Sequence, residues 1–131
     1  MRFLKHDIEN ERGQTMTEFA MVLPLLVVLL FGIIQFGIAF NNYVTLTDAV
    51  RAASRKGAVS RGAGSPAGDC VTAAQNAAGD LNKSKLKVTC TSSWQSGSDV
   101  TVTGTYPYKI SLLGWVVKSG DLKTEIKERV E

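Results

Sequence analysis

The chain has 131 residues, of which 44% are hydrophobic, and a net charge of +3 from 15 basic and 12 acidic residues. This length fits one small domain or one membrane-anchored domain, and the charge excess is too small to indicate a nucleic-acid binder. The only histidine, His6, cannot form a histidine-based metal cluster and lies too near the N-terminus to suit a Ser-His-Asp triad. The composition therefore argues against an enzyme, and we expect no catalytic residue, metal site or cofactor.

An uncharged segment occupies residues 19–47, which contain no Asp, Glu, Lys, Arg or His. Within it, residues 19–40 carry a single polar side chain, Gln35. As a helix, these residues would span about 33 Å, and a bilayer core is about 30 Å thick. The rest of the chain is too short to bury such a helix. The segment is also longer than the apolar region of a signal peptide, and no small-residue cleavage site follows it. We therefore expect a retained transmembrane helix at residues 19–40.

A hydrophilic leader precedes this segment. Residues 1–13 read MRFLKHDIENERG, with Arg, Lys and Arg balanced by Asp, Glu and Glu. Glu18 is the fifth residue after Gly13 and stands next to Phe19, at the edge of the apolar run. This spacing of glycine, glutamate, aromatic residue and apolar stretch resembles the processing site of type IV pilin precursors. A closer resemblance, to the TadE-like minor pilins (pseudopilins) of tight-adherence (Flp-type) pili, rests on Gln14, Ala20, Leu23-Pro24 and Phe36-Gly37.

The resemblance covers about residues 10–60 and implies a structural protein that takes part in assembling a tight-adherence pilus for surface attachment. It implies that a prepilin peptidase cuts between Gly13 and Gln14 on the cytoplasmic side. The chain would then comprise a leader (1–13), a long helix (14–59) and a small extracytoplasmic domain (60–131). The implied partners are the cytoplasmic membrane, the prepilin peptidase, the pilus assembly platform with its ATPase complex, and major and minor pilins. No small-molecule substrate is implied.

Glu18 has two interpretations. A carboxylate at the centre of a membrane helix costs about 2.5–3.5 kcal/mol, and less near the interface, so Glu18 could simply lie among the lipid headgroups. The resemblance implies instead that Glu18, beside Phe19, sets the register of packed subunits by pairing with the free α-amino group of Gln14 in a neighbour. Misregistered packing would leave the charge unpaired. Cyclisation of an N-terminal Gln14 would remove that positive charge.

Pro24 interrupts the hydrogen bonding of the apolar helix, because it removes the bond to the carbonyl of Ala20 and favours a kink. Together with Gly32 and Gly37 it could allow bending or local unwinding, although proline and glycine are also ordinary residues of membrane helices.

Charge does not decide the orientation of the helix, since three basic residues flank it on each side. The resemblance and the two cysteines favour a single-pass protein with a cytoplasmic N-terminus and, after assembly, a location in a surface pilus.

The helix is predicted to continue beyond the membrane, from about Thr15 to Val59 in all. Apolar positions recur at helical spacing after Phe40; they are Tyr43, Leu46, Val50, Ala53 and Gly57. Asp48 lies on the opposite, polar face, within reach of Arg51 and Arg55. These arginines form a basic cluster with Lys56 and Arg61. The cluster is either a solvated face near anionic headgroups or a site for DNA or an acidic polymer. A nucleic-acid partner is not expected, because no aromatic residues are interleaved with the cluster.

The C-terminal residues predict a small α+β domain, so that the whole chain has the lollipop outline of a pilin. After a breaker-rich linker at 60–69, a short helix capped by Asp69 should run to about Ala78 and end at Gly79. Alternating residues predict strands at about 86–91 and 100–108, joined by a hairpin turn at 96–99, with Pro107 at a sheet edge. Residues 112–117 are expected to form a compact apolar connection with Trp115. Residues 122–130 fit a third strand better than a helix, although both spacings are present.

The two cysteines offer a link within this domain. Cys70 is expected at the start of the short helix and Cys90 on the inward face of the first strand. A disulfide between them would contribute about 3 kcal/mol in the loop-entropy model, and it would place the domain outside the cytoplasm. The alternative is two buried free thiols.

An unprocessed chain would support a different function. The helix would then be a permanent single-pass anchor and the C-terminal domain a binding module, with no cleavage at Gly13 and no special function for Glu18.

Overall fold

The computed structural model describes the backbone of residues 4–112 and 114–131, and the side chains from residue 13 onward except that of Leu113. The charged side chains expected in the leader therefore lie outside the described residues. The elements follow in the order α1 (Leu4–Val59), α2 (Pro66–Ala77), β1 (Lys87–Thr91), β2 (Asp99–Leu112) and β3 (Trp115–Arg129). One long helix, one short helix and a small sheet confirm the α+β fold class.

The long helix ends where the sequence predicts but begins earlier. Its last residue is Val59, just before the breaker-rich linker. The predicted start near Thr15 is wrong, because α1 already begins at Leu4. The segment before Gly13 is rich in Leu, Lys, Glu and Arg, which are good helix formers, and one interior glycine costs only about 1 kcal/mol relative to alanine. The helix is also continuous through Pro24.

The sheet has three antiparallel strands in the order β1-β2-β3. β1 pairs with the first half of β2, from Thr91 opposite Thr101 to Lys87 opposite Thr105. β3 pairs with β2 over its whole length, to Leu112 opposite Trp115. The β2–β3 hairpin therefore extends beyond β1. Pro107 lies in this extension, which confirms its expected place at an edge.

The core lies between the second half of α1, the sheet and α2. In the predicted stripe of the helix, every residue except the exposed Tyr43 is buried. Ala49, which is not part of that stripe, is also buried. Val100 and Val102 of β2 and Val130 after β3 close the core from the sheet side. α2 adds Cys70 and Ala74, and the following loops add Ala78, Leu81 and Leu86.

The short helix starts three residues before the predicted cap. Pro66 occupies the first turn and Ser65 the N-cap position, while Asp69 lies inside the first turn. Proline is well suited to the start of a helix because its missing N–H would have no partner there. The predicted end is confirmed: Ala78 is the C-cap, and Gly79 follows with φ +53°, a conformation that favours glycine.

The strands match their predicted periodicity but differ in length. β3 confirms a strand over the C-terminal residues, with Lys123, Glu125, Lys127 and Arg129 exposed. The connection between β1 and β2 is longer than the predicted four-residue turn, since it spans residues 92–98 with its tight turn at Ser96-Gly97.

The expected compact connection at 112–117 is wrong. β2 reaches Leu112 and β3 begins at Trp115, so these residues form the end of a hairpin rather than a packed loop. Gly114 has φ +88°, which allows the tight reversal.

Candidate processing and assembly site

The expected processing site lies on an exposed part of α1. Gly13, Gln14 and Glu18 are all exposed, and a Cβ atom built on Gly13 would meet nothing within 4 Å. The hydroxyl of Thr17 donates a hydrogen bond to the carbonyl of Gly13, with 2.9 Å between Oγ1 and O. The peptide bond between Gly13 and Gln14 is therefore sterically open but helical.

Gln14 and Glu18 contact each other within one chain. The amide Nε2 of Gln14 donates to Oε1 of Glu18 at 3.0 Å, one helical turn away. Neighbouring Phe19 is 64% exposed. The two polar residues singled out by the sequence thus lie on the same helix face, beside an aromatic side chain that contacts no core.

The apolar run of α1 has no protein partner along most of its length. Large side chains such as Leu25 and Phe36 are 71% and 69% exposed, and none of the most apolar 18-residue window is buried. A soluble core helix would be mostly buried. The part of the chain that the structure describes has one helix long and apolar enough to cross a membrane.

Beyond this run, α1 carries the predicted polar face. Asp48 Oδ1 lies 3.5 Å from Arg51 Nη1, and both side chains are 61% exposed. Arg55, Lys56 and Arg61 are also exposed. Their arrangement is that of a solvated surface.

The cysteines are joined. A disulfide links Cys70 of α2 to Cys90 of β1 across a sequence separation of 20 residues. Cys70 is fully buried and Cys90 partly buried, and Cys70 lies in the middle of α2 rather than at its start. The bond therefore connects the helical layer to the first strand of the sheet.

Among the residues that the structure describes, no group of three or more His, Cys, Asp and Glu side chains could hold a metal ion.

A comparison with known families bears on the first half of the molecule. The family model of TadE-like proteins matches residues 13–55. This match supports a TadE-like, pilin-related protein. The match begins at the glycine of the expected processing site and includes the whole exposed apolar run together with most of the buried stripe. TadE-like proteins are structural components associated with tight-adherence pili, not enzymes. No curated protein and no solved structure matches the chain.

Two features of the protein were not predicted from its sequence. Ser54 of α1 is buried and donates a hydrogen bond to Oε2 of Glu128 at 2.7 Å, although the pattern marked neither residue. The exposed apolar end of the β2–β3 hairpin was also missed, because its residues were assigned to a packed connection. Its near-continuous apolar run at a strand end was the available signal.

Proposed function

We propose that this TadE-like protein is a minor pilin or pseudopilin that inserts in the cytoplasmic membrane and takes part in assembling a tight-adherence pilus used in surface attachment. One observation carries the proposal. The TadE-like segment coincides with a helix whose large apolar side chains are mostly exposed. Such a surface requires a lipid bilayer or the helices of other subunits, and a pilus subunit uses both in turn.

Processing is the first step of the proposed function. A prepilin peptidase cuts between Gly13 and Gln14, removes residues 1–13 and leaves Gln14 as the new N-terminus. The absence of a side chain on Gly13 supports access to this bond. Because the bond is helical, the peptidase must unwind it locally, and glycine lowers that cost by about 1 kcal/mol relative to alanine.

Assembly is the second step. The contact between Gln14 and Glu18 supports a role in register, because processing would create an α-amino group on Gln14 within one helical turn of the carboxylate. In a bundle of subunits, the carboxylate of Glu18 pairs with this amino group in a neighbour. A subunit displaced along its axis leaves the charge without a partner, at a cost that rises as the site is desolvated. Exposed Phe19 packs beside this pair.

The disulfide and the position of the domain support one orientation in the membrane. The Cys70–Cys90 bond requires an oxidising compartment, and the domain packs only on the C-terminal half of α1. The N-terminus is therefore cytoplasmic and the C-terminal domain extracytoplasmic. Partners on the two sides are the prepilin peptidase, the assembly platform with its ATPase complex, and other major and minor pilins.

Substitution of Glu18 tests the assembly step. Glu18→Ala removes the carboxylate, so we expect loss of the protein from sheared pili while the membrane fraction still resists alkaline extraction. Glu18→Gln keeps the shape but not the charge and should fail in the same way. Asp48→Ala is the matched control, since Asp48 is an exposed acid on the same helix outside the apolar run.

The outcome separates pilus assembly from a permanent anchor. If Glu18→Ala leaves incorporation into pili unchanged, Glu18 has no function in register. If the wild-type protein never enters pili and stays unprocessed, the chain is a membrane-anchored binding module instead.

A further inference from the structure

The end of the β2–β3 hairpin exposes a cluster of apolar side chains. We call residues 110–117 the hairpin tip; they read ISLLGWVV. Trp115 is 83% exposed, Val116 60% and Val117 61%. β1 begins at Lys87, opposite Thr105, so none of the other strands that the structure describes supports this part of the hairpin. Water would surround a large aromatic ring and two valines, an arrangement that usually marks a binding surface.

The hairpin tip points towards the membrane-spanning part of α1. β2 runs antiparallel to the helix: Val100 lies against Gly57, and Gly104 lies against Leu46 and Val50. Further along, Tyr108 and Lys109 of β2 share a cavity of about 460 Å³ with Gln35, Ile38, Ala39 and Asn42 of α1. The strand has thus reached the level of the apolar run before the tip begins.

The remaining length takes the tip further in the same direction. From Lys109 to Leu112 a strand advances about 10 Å at about 3.3 Å per residue. On a helix this distance equals about seven residues, so a strand that continues parallel to the cavity-lining residues 35–42 reaches about the level of residues 28–35. Trp115, the first residue of β3, pairs with Leu112 and therefore lies at the same level. The tip therefore lies beside the outer half of the transmembrane segment.

Lysines and tyrosines surround the base of the tip. Lys109 lies opposite Ser119, and Lys118 lies opposite Ile110, so each strand carries one exposed lysine just before the tip. Tyr106 and Tyr108 precede them on β2. Tyrosine and lysine are typical of the membrane interface, where the ring bridges polar and apolar layers and the ammonium group reaches phosphate headgroups. From the domain towards the tip, the side chains of the hairpin therefore change from polar residues to residues typical of the membrane interface and then to apolar residues.

We propose that the hairpin tip inserts in the extracytoplasmic leaflet of the bilayer that α1 spans, as a second membrane contact of the unassembled subunit. The inference rests on the membrane insertion of α1 in the proposed function, but not on processing or pilus assembly. The two open strand edges limit the depth, because backbone groups without partners are not tolerated in the hydrocarbon core. Trp115, Val116 and Val117 therefore reach only the upper acyl chains.

Fluorescence quenching of Trp115 tests this contact. The full chain is reconstituted in vesicles of zwitterionic and anionic phospholipids, and Trp94→Phe leaves Trp115 as the only tryptophan. We expect blue-shifted emission that lipids brominated near the headgroup end of the acyl chain quench strongly. Lipids brominated near the terminal methyl group should quench it less, and iodide in the water should quench it weakly. If Trp94→Phe does not fold, the difference between wild-type and Trp115→Phe spectra gives the same signal.

Matched variants and vesicle flotation distinguish a failure of the tip contact from a failure of α1 to insert in the membrane. Val117→Asp should shift Trp115 emission towards that of an aqueous indole, whereas Val59→Asp, at an equally exposed valine far from the tip (64%), should not. Vesicle flotation reports insertion of α1 independently. A chain that does not float overturns both proposals. A floating chain whose Trp115 is quenched by iodide but not by brominated lipid overturns only the tip contact. Shielding from both quenchers also overturns it and points to a second subunit over the tip.

Discussion

Gly104 of β2 packs directly against Val50 of α1, with no room between them for a side chain on the strand. A Cβ atom built on Gly104 would lie 2.5 Å from Cγ2 of Val50 and 3.1 Å from Cδ1 of Leu46. Both helix residues are fully buried. The central strand therefore approaches the helix more closely than any other residue type would allow, and this contact joins the sheet to α1.

Gly104→Ala should destabilise the protein by about 1–3 kcal/mol, because overpacking forces valine, a stiff β-branched side chain, to move. The measurement is urea unfolding of the full chain in detergent. In the Val50→Ala background, the same substitution should cost much less, since the facing methyl groups are gone.

Gly62→Ala is the control for this contact. Gly62 lies in the linker with nothing within 4 Å of a Cβ atom, so we expect little change. Equal effects of Gly104→Ala in both backgrounds would contradict the close approach.

Removal of the disulfide should destabilise the C-terminal domain. Cys70→Ser opens the loop to Cys90, and we expect a loss of about 3 kcal/mol. Unfolding of the wild type with and without reductant measures it. Cys70→Ser combined with Cys90→Ser should cost about as much as either change alone, because one bond is lost in each case. An unchanged midpoint after full reduction would show that the bond adds no stability.

The hydrogen bond between Ser54 and Glu128 should matter more than the exposed ion pair on the same helix. Ser54→Ala removes the donor that joins α1 to β3, and we expect a loss of about 1–2 kcal/mol. Glu128→Gln should retain most of the stability because its amide oxygen still accepts. By contrast, Asp48→Asn breaks a contact to Arg51 that is 61% exposed on both sides, and such pairs contribute about 0–1 kcal/mol. The reverse order of effects in thermal unfolding would contradict this assignment.

Local patterns predicted much of the fold. Helical spacing located the buried stripe from Leu46 to Gly57, and alternation located the strands, since both depend only on which face meets the core. The breakers after Val59 fixed the end of α1. The start of α1 could not be predicted in this way, because a lone glycine in a good helical segment is a weak stop signal.

Long-range contacts account for what the sequence did not reveal. The contact of Gly104 with Val50 has no sign in the sequence, because the two residues lie far apart in the chain. Tyr43 fits the spacing of the stripe, yet it is 42% exposed. At this level of the helix, Ala39 and Asn42 face β2 instead. The apolar run at 112–117 predicts a packed connection, because such a run indicates burial but not what buries it. The processing site rests on its motif and remains a prediction.

Gly13 is central to the proposed processing, and its substitution gives a direct prediction. Gly13→Leu should leave most of the protein as precursor in membranes, because a bulky side chain obstructs the peptidase and stabilises the helix. Gly37→Leu is the matched control, since it is a glycine of the same helix that also has nothing within 4 Å. Immunoblots of membrane fractions would separate precursor from mature chain. Equal processing of both variants would contradict cleavage at Gly13.

The intact mass of the protein from its host's membranes, with and without the prepilin peptidase, tests the central claim most directly. The account predicts a chain that begins at Gln14 when the peptidase is present and at Met1 when it is absent. A mass lower by one ammonia would mean that Gln14 has cyclised, and would remove the amino group from the proposed pairing with Glu18. A full-length chain in the presence of active peptidase would contradict the account and leave a single-pass anchor with a disulfide-linked domain.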